Sequence, residues 1–214
     1  MRLRTATVLA ITAFTYIFII KTIGTVFPFI ALVSIYVKIT ETLSLISNLA
    51  LIYFYVVFSK DYIREEQAKL RIATSLVIII IVLSMFVEMI RLMQVFDVTL
   101  IPAASKIRHT EAVVPLAGAI TMLFFFVSFY NENLFDNQVN LKKATSLAIV
   151  GASAFVLLNI IVVVNYFYYV ETRQPFGVIG KSEVLYIIGS VIIIFYFAVS
   201  LYFLISFYKV QEQN

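Results

Sequence analysis

Three polar residues interrupt the apolar stretches of this 214-residue chain at one recurring place. Lys21, Glu88 and Asn159 each stand 17 residues beyond a basic residue, Arg4, Arg71 and Lys142 respectively, that opens a long apolar run. Ionisable groups inside a membrane span are costly, normally face other helices, and mark an ion or ligand site by default. An amine, a carboxylate and a carboxamide at one level would let Lys21 pair with Glu88 while Asn159 completes a polar lining. A plainer chemistry is local: Lys21 reaches the headgroups, and Glu88 pairs with Arg91, three residues on along the same helix face. Seventeen residues of helix rise about 25 Å, which sets the three near the outer edge of a bilayer, where charge is cheaper than at the centre. The local reading is therefore favoured.

A second triplet, Glu41, Glu111 and Glu183, follows Lys38-Ile39-Thr40, Arg108-His109-Thr110 and Lys181-Ser182. Rings of carboxylates gather cations in channels. With a base close to each, helix-end electrostatics is the expected role: the hydroxyl caps a helix and the carboxylate meets its positive end. His109 is the single histidine and cysteine is absent. No haem pair, no typical zinc site and no other metal or cofactor is expected. Nucleophile elbow, His-Glu-x-x-His and phosphate-binding glycine loop are all missing, so a non-enzymatic protein is expected.

The elements that must position these residues follow from composition. Of the chain, 62% is hydrophobic and 13% charged, against roughly 45–50% apolar and about 25% charged in soluble domains. Apolar runs recur at the length of about 20 residues that a bilayer core about 30 Å thick requires. Water is absent there, so each segment must satisfy its own backbone and helices are predicted. The expected fold is an all-α integral membrane protein, one polytopic domain over 1–214, its lipid partner the bilayer. Met1-Arg2-Leu3-Arg4 followed by Thr5 to Ile20 has the basic flank of a secretory signal. No small-x-small site follows convincingly, and the stretch is read as a retained span.

An internal repeat sets the number of spans. Leu3-Arg4-Thr5-Ala6-Thr7 matches Leu70-Arg71-Ile72-Ala73-Thr74 and Leu141-Lys142-Lys143-Ala144-Thr145. A shared base followed by Ala-Thr at one spacing is harder to obtain by chance than apolar matches. Further along, Val127-Ser128-Phe129-Tyr130 aligns with Val199-Ser200-Leu201-Tyr202. Six transmembrane helices as three tandem α-hairpins are predicted, with units at about 1–66, 67–137 and 138–214. The first helices cover roughly 5–29, 71–96 and 143–169, and the second roughly 41–59, 111–130 and 183–208. Thr22 to Val37 is nearly all apolar and, with Pro28 inside it, admits a seventh span. Six is preferred because seven breaks the repeat and spreads Lys and Arg evenly over both faces. With six, Arg2, Arg4, Lys60, Arg64, Lys69, Arg71, Lys142, Lys143 and Lys209 share the side of the termini, which the positive-inside rule makes cytoplasmic.

Aromatic residues gather toward predicted helix ends: Tyr53, Tyr55 and Phe58; Phe129 and Tyr130; Tyr166 to Tyr169; Tyr202, Phe207 and Tyr208. Without Trp, these are read as the interfacial belt. Gly151, Ala152, Ser153, Ala154, Gly189 and Ser190 would let helices approach closely. Three hairpins share an outline with mitochondrial carriers, but that family's Pro-x-[Asp/Glu]-x-x-[Lys/Arg] signature is missing from every unit. The bilayer midplane is almost purely apolar, unlike transporters with broken helices there. The expected function is a subunit or accessory component of a membrane assembly, with other membrane subunits as partners and no nucleic acid. The alternative is a small transporter or ligand-sensing protein with its polar site at Lys21, Glu88 and Asn159.

Overall fold

A computed structural model describes residues 2–26, 34–95, 104–132, 135, 138–172 and 183–213. Its elements are α1 (Arg2–Val26), α2 (Ser34–Asp61), α3 (Ala68–Val95), α4 (Ala104–Glu132), α5 (Val139–Thr172) and α6 (Glu183–Gln213). All six are long and apolar enough to cross a membrane. Thr22 to Val26 extends α1 and Ser34 to Val37 opens α2. Only residues 27–33 of the segment that suggested a seventh span lie outside the described residues.

Each helix packs against its neighbours in sequence, and α1 also packs against α6, so the six close into a ring. The starts of α1, α3 and α5 share one end with the finishes of α2, α4 and α6. At the α1–α6 seam, Arg4 bonds the Glu212 carboxylate at 2.6 Å and donates to the Tyr208 hydroxyl at 3.1 Å. One turn on, Gln211 Nε2 donates to Thr7 Oγ1 at 3.1 Å. Between α3 and α4, the backbone N–H groups of Lys69 and Leu70 donate to the Glu132 carboxylate at 3.2 and 2.9 Å. That carboxylate supplies acceptors to N–H groups that the first turn of α3 cannot pair internally. Glu132→Ala is therefore expected to cost about 1 kcal/mol, read as a lower unfolding midpoint of the purified protein in detergent; no change would mean that water replaces the cap without loss.

Small side chains on the odd-numbered helices make close packing at this end feasible. Ala6, Ala10, Ala73, Ala144, Ala148 and Ala152 have no exposed surface. Thr7, Thr74 and Thr145 are likewise fully buried, and each hydroxyl donates to the carbonyl four residues back, at Leu3, Leu70 and Leu141, over 2.7–2.8 Å. A hydroxyl satisfied by its own helix can be buried without a cross-helix partner, although Thr7 also accepts from Gln211 of α6.

Against that lining the even-numbered helices set three pairs of Phe, each pair one turn apart: Phe54 and Phe58, Phe125 and Phe129, Phe203 and Phe207. Phe58 lies 5.7 Å from Phe125 and 5.6 Å from Phe207, and Phe129 lies 5.1 Å from Phe203, mostly edge to face. Such arrangements suit the ring quadrupole. Tyr62, just past α2, stacks on Phe58 and Phe129. The rings fill the middle of the bundle at the terminal end.

This corrects the aromatic reading from sequence. Phe58, Phe129 and Phe207 have no exposed surface or almost none, and Tyr55 is buried with them. Tyr53, Phe167, Tyr168 and Tyr202 do face outward. Phe129 packs on both Phe203 and Phe207 of α6.

The α5–α6 seam rests on glycine. A Cβ at Gly151 would lie 2.5 Å from Val199 Cγ2 and 3.4 Å from the Tyr196 backbone, while one at Gly189 would meet Leu158 Cδ1 at 3.3 Å. Gly151→Val should force the two helices apart at an overpacking cost of about 1–3 kcal/mol, seen as a drop in thermal midpoint. A parent-like midpoint would show that the seam yields.

Candidate functional site

The polar chemistry lies further along the bundle, on the face that carries the buried stripe. On α3 that stripe runs through Leu70, Ala73, Thr74 and Val77 to Val87, and Glu88 follows it. Glu88 is half-buried, and its carboxylate is gripped from α2. Ser44 Oγ donates to Oε1 at 2.8 Å and Asn48 Nδ2 donates to Oε2 at 2.8 Å. Ser44 and Asn48 stand one turn apart on α2, so both point at a single acceptor group on α3. Asn48 is buried, as is the adjacent Ser47. The two neutral donors thus engage both oxygens of the carboxylate from a single helix.

Sequence reading singled out Glu88 but not Ser44 or Asn48. Their signal was the i, i+4 pairing of two polar residues in an otherwise apolar stretch of α2. Asn159 is also buried, 7% exposed, and its Nδ2 donates to the Phe155 carbonyl at 2.8 Å. It thus uses its own helix as partner. Helical register puts Asn159 on the inward stripe of α5, seven residues beyond Ala152, as Glu88 is eleven beyond Val77. Arg91 lies half-buried one turn beyond Glu88 on α3. Lys21 belongs to α1, and its side chain lies outside the described residues.

The carboxylate triplet is placed differently from expectation. Glu41 and Glu111 fall two turns inside α2 and α4, which start at Ser34 and Ala104 and have no acidic residue in their first turns. Nothing in Ser34 to Thr40 or Ala104 to Thr110 breaks a helix, so both helices begin earlier than a Thr cap would set them. Glu183 does open α6. The side chains of Glu111, Glu183 and His109 lie outside the described residues. Among the described residues, no three His, Cys, Asp or Glu side chains converge as metal ligands would.

Among the described residues, fold and site together define an all-helical protein with six membrane-length helices, closed by aromatic rings at one end and carrying a hydrogen-bonded carboxylate toward the other. No protein-family model matches the chain, and no curated protein or solved structure matches it significantly.

Proposed function

We propose that the chain is a non-enzymatic multi-pass membrane protein, made of three tandem helical hairpins with both termini in the cytoplasm, that serves as a subunit or scaffold of a membrane assembly. The observation that carries this reading is the aromatic packing of Phe54, Phe58, Phe125, Phe129, Phe203 and Phe207 across the bundle centre. A packed apolar plug with fully buried alanines around it suits a structural body better than a conduit. The hairpin repeat is supported by Leu3, Leu70 and Leu141 each accepting from a buried Thr, and by one Phe pair from each even-numbered helix. Outward apolar side chains on α3 and α5, among them Ile72, Ile79, Phe86, Val150 and Leu157, offer surface to lipid and to neighbouring spans alike.

The experiment is native purification in mild detergent with size measurement, coupled to Ile79→Lys and Leu157→Lys. A defined assembly that either substitution dissolves supports the subunit reading; a parent protein that always migrates as a monomer overturns it. Topology is tested in parallel, and the absence of Cys makes single-site labelling direct. Arg2→Cys, Glu65→Cys and Lys143→Cys should label from the cytoplasmic side and Thr110→Cys from the opposite one; labelling of Arg2→Cys and Lys143→Cys from opposite sides would end the three-hairpin reading.

A second reading draws on the grip of Ser44 and Asn48 on Glu88: a ligand-sensing protein whose polar site includes Glu88, with Lys21 and Asn159 at the same level by register. A span with an ionisable residue held by two partners fits such a site. Ligand-dependent protection of Glu88 from carbodiimide modification would favour it over the scaffold.

A further inference from the structure

A groove of about 780 Å³ opens where α4 hands over to α5, lined by Phe135, Val139, Lys142, Lys143, Ser146 and Leu147. We infer that this groove binds the phosphate-bearing headgroup of an anionic phospholipid. Two lysines and a serine bring polar groups to the lining, and three apolar side chains make up the rest. The Lys142 ammonium lies 6.0 Å from the centre of the Tyr130 ring on α4, a cation–π contact that helps to hold it at this edge of the bundle. Lys143 is exposed.

The setting selects a lipid over a soluble anion. The membrane-length segment of α5 begins at Val139, so both lysines sit within the first two turns of the span, on its headgroup side. Below Lys143, an exposed stripe at helical spacing runs through Leu147, Val150, Leu157 and Ile161, which are 43%, 57%, 63% and 41% exposed. A phosphate held at Lys142 and Lys143 would lay its acyl chain along that stripe. Charge and apolar surface are thus ordered as an anionic phospholipid orders them, and basic residues at the membrane edge of a span attract such headgroups.

The test titrates the purified, delipidated full chain in mild detergent with phosphatidylglycerol, phosphatidylcholine or inorganic phosphate and reads bound lipid by native mass spectrometry. Phosphatidylglycerol should be retained at least 10-fold better than phosphatidylcholine. Each lysine near a membrane surface contributes roughly 5-fold, so Lys142→Gln with Lys143→Gln should weaken retention about 30-fold. Ser146→Phe keeps both lysines but fills the groove, and should weaken it as well; this variant decides the matter if the double one fails to fold. Lys60→Gln with Lys209→Gln, on other helices at the same end, should retain lipid like the parent. Equal retention by the groove variants and the parent, equal binding of both lipids, or displacement of the lipid by millimolar inorganic phosphate would each overturn the assignment.

Discussion

Phe129→Ala is expected to lower the unfolding free energy by about 3–5 kcal/mol, the usual cost of truncating a fully buried Phe. Phe129 has no exposed surface, and its ring touches those of Phe58, Phe125, Phe135, Phe203, Phe207 and Tyr62. Its helical neighbours lie on α2, α4 and α6, which do not pack directly against one another, so the bundle cannot easily collapse into the space left behind. Phe129→Leu keeps much of the volume and should cost less than half as much. Unfolding in a mixed-micelle titration would measure both; if Phe129→Ala proves as mild as Phe129→Leu, the centre is looser than the ring distances imply.

Glu88→Leu should cost about 1–3 kcal/mol, because it strands the Ser44 hydroxyl and the Asn48 carboxamide in a setting with few other acceptors. Glu88→Gln keeps one carbonyl acceptor and should lose less. The informative variant is the triple one, Glu88→Leu with Ser44→Ala and Asn48→Leu. Removing both donors together with the carboxylate leaves neither donor unmatched, so it should regain part of the loss. Failure of the triple variant to recover would mean that Glu88 contributes through contacts other than these two. If Glu88→Leu alone matched the parent, the α2–α3 grip would be incidental.

How far these features could be read from the residues differs with the physics behind each. The long helices were legible because a span needs about 20 apolar residues in lipid, and their centres fall where expected. Two starts were misplaced: Thr40-Glu41 and Thr110-Glu111 look like caps, yet Ile35 to Lys38 and Lys106 to His109 continue a helix without hindrance. The aromatic plug was hidden because Phe and Tyr suit both a membrane surface and a core. Only the one-turn spacing of Phe in three helices, read together with which helices meet, separates the two. Glu88 was visible as a charge in a span. Its partners were not, because Ser44 and Asn48 become donors to it only once α2 lies beside α3.

The meeting of α1 with α6 has a consequence for chain connectivity. Arg4 and Glu212 are in contact, so a short linker could join the end of α6 to the start of α1, while the turn at Arg64 to Glu66 is exposed and could be cut to create new ends. A circular permutant beginning at Glu66 would then traverse the same closed wheel of helices in rotated order, and should insert and melt much as the parent does. In such a wheel no single helix is the founding one, and the order of synthesis becomes separable from the final shape.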